Sequence, residues 1–300
     1  MRHFTHWLTF AAWWLALAST ALSQSAVDGN TYLTEVLAML ERHPTILARL
    51  RHQAQLGEAE LVGSGNYWQG RTSTGQRINR WEMRTQVAGK TSSLLQVFDG
   101  NYLWTDRLLP SGRTLRRLDV ATLHMRLRSA RSARQETANN NLLASAALGR
   151  GGLPELLADL LTRFTFDKPR PTQLNGLAVN ALIGHWRKPE LERLWPEAGY
   201  VQDSEPLAWP DQLPHHVLVL VGRNLFPYLL EHRTAEDGHL ATSTVGLRPA
   251  HDPLLRYEVY DVHLAAVMEP KLFQLERGDL KWTDETSLVL ERMNPRVELP

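Results

Sequence analysis

The sequence predicts an α+β fold built on antiparallel sheet, and three observations carry the prediction. Helical periodicity is confined to an opening stretch, a central stretch at about 120–162 and short later pieces. Between them lie short runs in which apolar and polar residues alternate, separated by turn residues at regular intervals, as in a meander of hairpins. No Pro/Ser/Gly-rich linker and no repeat period divides the chain, so a single domain is expected.

Taken in order, the chain opens with Arg2, His3 and His6, an apolar run from Trp7 through Leu17, and the small residues Ala18-Ser19-Thr20-Ala21-Leu22-Ser23. A basic start, a short apolar core and a small-x-small exit make an export signal, with Ala21 and Ser23 placed for cleavage before Gln24. The apolar run falls short of the about 20 residues a bilayer-spanning helix needs. The expectation is a signal peptide over 1–23, a mature domain over 24–300 with no stable transmembrane span, and a periplasmic or secreted location. Tyr32 to Leu56 then reads as helical: Leu33, Val36, Leu37, Leu40, Ile46, Leu47 and Leu50 recur at helical spacing. Pro44 begins a second helix or kinks the first, because the residue before a proline resists the helical region.

The period then changes to two. Glu58–Gln69, Gln76–Val87, Thr91–Phe98, Tyr102–Leu108 and Thr114–Leu118 are predicted strands, separated by turns such as Ala88-Gly89-Lys90 and Asp99-Gly100-Asn101. In the second of them Trp81, Met83 and Val87 alternate with Glu82, Arg84 and Gln86, giving one apolar and one polar side. The central helical insertion runs from Val120 to Arg134, from Leu142 to Leu148, and after Gly149–Gly152 from Leu153 to Leu161. Pro154 suits the first turn of that last piece, and Leu153, Leu156, Leu157, Leu160 and Leu161 give it an apolar stripe. Arg126, Arg128, Arg131 and Arg134 read as a solvated helix face, with a contact to an anionic partner such as a lipid headgroup as the alternative. Strands resume at Phe164–Phe166, Leu177–Trp186, Val217–Val221, Leu225–Thr234, Leu240–Val245 and Leu254–Leu264, with a short helix at Pro189–Leu194. Val217–Val221 is apolar on both parities and should be covered on both sides. The tail adds a short strand or turn and a helix beginning near Asp284.

Composition removes several function classes. The 300 residues include no cysteine, which excludes disulfides, an acylated lipoprotein terminus, a thiol nucleophile and thiolate metal or iron–sulfur sites. With 33 basic against 32 acidic residues, bulk charge gives no reason to expect a nucleic-acid partner. Ser64, within Gly63-Ser64-Gly65, lacks the glycines two residues to either side that a nucleophile elbow needs. His215 and His216 are adjacent and so point to opposite sides of a strand; the other histidines are scattered, without metal-ligand spacing. No phosphate-cradling glycine loop occurs, and nothing selects a catalytic carboxylate pair. No catalytic residue, metal or cofactor is expected. What stands out is apolar strand surface, in a chain with ten tryptophans. Trp68, Trp81, Met83, Leu95, Val97 and Trp104 fall on neighbouring predicted strands, with Tyr257 and Val259 on a later one. Covered permanently such a surface is core, its usual fate; covered by a mobile element it is a ligand cavity.

The order of these elements resembles a known family. Gly63-Ser64-Gly65-Asn66-Tyr67-Trp68-Gln69, then Arg80-Trp81-Glu82-Met83, then Leu95-Gln96-Val97-Phe98-Asp99-Gly100-Asn101-Tyr102-Leu103-Trp104 is similar to the strand series of periplasmic lipoprotein carriers, LolA/LolB-like. The Gln-Val-x-Asp-Gly-x-x-Leu-Trp block is shared with exported planctomycete-type relatives. The resemblance covers most of residues 31–275, but not the insertion, and this chain has Ile78-Asn79-Arg80-Trp81 where the carriers place Arg-Pro before the aromatic strand. It implies a strongly curved, incomplete β-barrel with helices as a lid in or over the concave face. It implies a non-catalytic carrier or sensor that shields a lipoprotein acyl chain or another hydrophobic ligand, bound by the eight apolar residues just named, with Arg80 as a lid-locking hydrogen-bond donor. An envelope structural or interaction protein, its half-barrel filled by its own side chains, is the alternative, and a secreted hydrolase is a third.

Overall fold

The computed structural model describes residues 27–56, 59–87, 89–131, 141–195, 209, 213–234 and 253–293. The expected signal peptide, Arg134 and the expected strand at Leu240–Val245 lie outside the described residues.

Helix α1, Gly29–Arg42, is capped by Asp28, whose carboxylate accepts from Thr31 N at 3.1 Å. It buries Leu33, Val36, Met39 and Leu40, and full burial of each such side chain contributes about 1.5–3 kcal/mol. The second helix expected at Pro44 is instead strand β1, Ile46–Leu56. The spacing of Ile46, Leu47 and Leu50 suggests a helix, but Ile46, Ala48, Leu50 and Ala54 are the buried positions and Arg49 and Arg51 face out. That is period two, imposed by pairing on both edges of the strand.

A meander follows: β2 (Ala59–Arg71), β3 (Arg77–Val87), β4 (Lys90–Phe98), β5 (Tyr102–Leu109) and β6 (Gly112–Asp119). Strand β2 carries its glycines without a bulge, since its register with both neighbours runs unbroken. A Cβ on Gly65 would lie 1.8 Å from the Glu82 carbonyl oxygen, so no other residue fits there without moving β3. Helices α2 (Val120–Arg131) and α3 (Asn141–Arg163) form the insertion. The helical path of α3 breaks at Gly152, with φ 69° and ψ −157°. Pro154 therefore sits in the first turn of a new helical segment, where its missing N–H costs nothing.

The second set comprises β7 (Phe164–Phe166), β8 (Arg170–Leu174), β9 (Leu177–Trp186), α4 (Lys188–Leu194), β10 (His216–Gly222), β11 (Pro227–Arg233) and β12 (Leu255–Leu264). Every residue of β10 is buried, as its unbroken apolar run predicts. Strand β8 is absent from the sequence-based expectation: Arg170-Pro171-Thr172-Gln173-Leu174 carries no alternation and forms a hairpin with β9 through the Asn175-Gly176 turn. The tail supplies a 3-10 turn at Pro270–Phe273, then β13 (Thr283–Asp284) and α5 (Thr286–Met293).

Among the described residues the strands join one open, curved sheet of 13 strands, in the order β13-β6-β5-β4-β3-β2-β1-β12-β11-β10-β9-β7, with β8 beside β9. Among the described strand pairs only β13–β6 is parallel. The two meanders meet where β12 lies against β1. The α+β class and the curved, incomplete barrel with helices on one face are thus what the structure shows. Among the described residues no helix is long and apolar enough to cross a membrane.

Candidate functional site

The sheet has two faces, and strand parity assigns each side chain to one of them. The helix face is covered by α1 and the second segment of α3. There Leu33, Val36, Leu40, Leu153, Leu156, Leu157 and Leu160 pack against Leu50, Tyr67, Trp81, Met83, Val219 and Val259 in the largest apolar cluster of the described residues. Tyr257 packs at its border, edge-on to Trp81 with ring centroids 6.0 Å apart. Opposite lies the tail face, with a smaller cluster of Val97, Trp104 and Leu115, flanked by Leu95, Tyr102 and Leu275.

The eight residues singled out in the sequence are divided between these faces. Trp81, Met83, Tyr257 and Val259 share the helix face. Leu95, Val97 and Trp104 belong to the tail face, and Trp68, paired with Arg80 across β2–β3, lies there too. The C-terminal segment covers that second group. Trp282 meets Trp104 edge-on at 5.6 Å, while the Arg117 guanidinium sits 4.3 Å from the Trp282 ring and 4.6 Å from that of Tyr102. Asp284, accepting from the Thr286 hydroxyl and ion-paired with Arg117, has its carboxyl pKa pulled down to about 2, so the clamp stays charged.

Arg80 is placed on the face away from α3. Its side chain lies on the tail face, paired with Glu82, 5.9 Å from the Trp68 ring, and donates to the Leu272 carbonyl at 3.2 Å. It fastens the tail, and none of these contacts reaches α3. The physical reason is parity: Arg80 and Trp81 are strand neighbours and must point to opposite faces.

The contacts that hold α3 come from residues the sequence did not single out. Tyr67 Oη accepts from Leu153 N at 3.0 Å and donates to Gln69 Oε1 at 2.6 Å, wholly buried. The first N–H groups of a helix have no intrahelical acceptor, so Tyr67 satisfies one of these orphan donors. Burial pushes the Tyr67 phenol far above its ordinary pKa, keeping it protonated to serve as donor and acceptor together. Arg77 donates to the Gly151 carbonyl at 3.1 Å and pairs with Glu41 at 3.0 Å, tying α3 to the end of α1. In the sequence their signal is Tyr67 two residues before Gln69, on one side of a predicted strand.

The helix face also holds neutral histidine. His52 stacks on Tyr257 at 4.7 Å, and burial lowers its pKa to about 4. His232 is lowered to about 4 by the same cause, with the Arg163 charge adding to it. Both imidazoles are uncharged at neutral pH, which keeps the face apolar. Burial pushes the Tyr257 phenol up to about 12. The tail face carries an open groove of about 590 Å³ with a polar lining that includes Arg49, Asn66, Glu82, Arg84 and Asp106. Among the described residues no group of three or more His, Cys, Asp or Glu side chains is placed to hold a metal ion.

No protein-family model matches the chain, and no curated protein matches its sequence. Several solved structures are similar in fold. A chain of the Pseudomonas aeruginosa MucA/MucB complex matches at TM-score 0.41 and 10% identity, over 83% of this chain and 61% of that one. This chain therefore spans less than two thirds of that structure's length. A DUF1329 family protein from Desulfovibrio piger matches at TM-score 0.35 and 8% identity, over 82% of this chain and 95% of that one. An outer membrane lipoprotein-sorting protein domain from Vibrio parahaemolyticus matches at TM-score 0.32 and 11% identity, over 81% and 95% of the two chains. Likeness at this level is too slight to assign a function.

Proposed function

We propose that this chain is an exported, non-catalytic binding protein that takes an acyl chain or another hydrophobic ligand on the helix face of its sheet, with the second segment of α3 as the lid. The observation that carries this reading is the way the lid is held. Its apolar stripe fills an aromatic-rich sheet face, yet its start is a glycine break fastened by the Tyr67–Leu153 and Arg77–Gly151 hydrogen bonds. A helix that only completed a core would need no such break at its point of attachment.

The energetics are compatible with exchange. Displacing Leu153, Leu156, Leu157 and Leu160 from the face forfeits about 1.5–3 kcal/mol each if they become fully exposed. An acyl chain of about sixteen carbons returns roughly 0.8 kcal/mol per buried CH₂. The two totals are of similar size, so the latch contacts decide which occupant holds the face. The specific partner fitting this description is a lipoprotein acyl group in transit through the envelope. A second reading, an envelope interaction protein whose half-barrel fills itself, is favoured by the depth at which Leu157 and Val259 are buried.

Native mass spectrometry of the protein purified without detergent, followed by organic extraction, separates the two. The carrier reading expects a stoichiometric lipid that is lost in Trp81→Gln and retained in Trp104→Gln, because these residues lie on opposite faces. A bare protein mass that persists after addition of acyl peptide or lipid would contradict it and favour the self-filled reading.

A further inference from the structure

Beside the latch, the helix face carries a group of buried polar atoms that the fold itself does not use. Asn79 is wholly buried, and neither atom of its amide has a hydrogen-bond partner. Trp81, two residues along the same strand, is 5% exposed, and its indole Nε1 is likewise unpartnered. Gln96 lies directly across from Trp81 in the β3–β4 pair. Its Nε2 donates to Thr105 Oγ1 at 3.3 Å while its buried Oε1 has no partner. Strand parity puts all three on the helix face: cross-strand partners are about 5 Å apart at Cβ, and i,i+2 neighbours are about 7 Å apart along a strand.

Folded proteins leave few buried polar atoms unpaired, because each retains its desolvation cost. On the adjacent strand Tyr67 and Gln69 satisfy each other, while Arg77 Nε, two residues before Asn79, and His52 Nε2 are further buried atoms of this face without a partner. The group combines donors, Trp81 Nε1 and the Asn79 amide nitrogen, with acceptors, the Asn79 and Gln96 amide oxygens. All are neutral. Such a set matches a group that both accepts and donates and carries no charge, as a secondary amide does. An ester offers only acceptors, and a hydrocarbon offers nothing.

We infer that Asn79, Trp81 and Gln96 form a subsite for the amide linkage at the head of an N-acylated ligand. Its carbonyl oxygen accepts from Trp81 Nε1 and the Asn79 amide nitrogen, and its N–H donates to the Asn79 or Gln96 amide oxygen. The inference rests on the binding role proposed above and names the ligand class that role would select.

Calorimetric titration of the exported chain with N-methyl-lauramide and with methyl laurate, identical in acyl chain, tests it. The amide should bind about tenfold more tightly than the ester, the margin of roughly one net hydrogen bond. In Asn79→Leu combined with Gln96→Leu, which removes the acceptors for the ligand N–H, the advantage of the amide over the ester should disappear. Equal binding of the two probes by the unaltered protein, a comparison that needs no variant, would overturn the subsite while leaving the carrier reading in place. Failure of both probes to bind would overturn the two together.

Discussion

Glu231→Ala should lower the stability of the fold by about 3–5 kcal/mol, the cost of leaving a buried ion-pair partner uncompensated. Glu231 and Arg233 are almost fully buried on β11, with Arg233 Nε donating to the Glu231 carboxylate at 2.8 Å. Glu231 also pairs with Arg256 at 3.0 Å, Arg256 with Glu258 at 3.6 Å, and Glu258 with Arg51 at 3.2 Å. These charges run across the tail face from β11 through β12 to β1, where the two meanders meet. Asn175, in the β8–β9 turn, adds its side-chain amide to Glu258 at 3.4 Å. Removing Glu231 leaves the Arg233 guanidinium inside the protein with no carboxylate partner among the described residues. Urea unfolding monitored by far-UV circular dichroism measures the loss. Replacing both partners, Glu231→Leu with Arg233→Met, should recover much of it, because the desolvation of both ions is then removed. A loss below about 1 kcal/mol, the range of surface pairs, would contradict this account of the seam.

Gly152→Ala is the second change with a large expected effect, and it acts on function as well as stability. Gly152 adopts φ 69°, a region that side-chain-bearing residues enter only at a cost of about 1–3 kcal/mol. An added Cβ would also lie 2.0 Å from Tyr67 Oη. The substitution must therefore push the start of the lid segment away from its latch and break the Tyr67–Leu153 hydrogen bond. The expected result is a folded sheet with a loosened lid: faster proteolysis within 149–163 than in the unaltered protein, and faster uptake of an acyl ligand. A variant as protease-resistant as the parent would contradict the role assigned to the kink.

How much of this was legible in the sequence follows from what a single chain encodes locally. Leu177–Trp186 was delimited to the residue because apolar content and flanking turn residues agree there. The β2–β6 meander was legible because glycine turns punctuate it. Residues 46–56 carry isoleucine and leucine at helical spacing at 46, 47 and 50, and only pairing with β2 and β12 selects period two. The division of the eight apolar residues between two faces depends on cross-strand register, such as Tyr67 opposite Trp81. Strand β4 is apolar on both parities, with Leu94 and Leu95 adjacent, so composition could not say which face each joins. The opposition of Arg80 and Trp81 was legible from their adjacency alone. The latch was not, because a tyrosine hydroxyl meeting the start of a helix 86 positions away leaves no local trace.

The measurement that bears most directly on the central claim is hydrogen–deuterium exchange across Leu153–Arg163, with and without a saturating acyl amide. If the helix face is a binding surface and the second segment of α3 its lid, ligand should displace the segment and speed exchange of its amides, while β2 and β3 keep their protection. Unchanged or increased protection of Leu153–Arg163 in the presence of ligand would show that the segment is a permanent part of the core, and the account would fail.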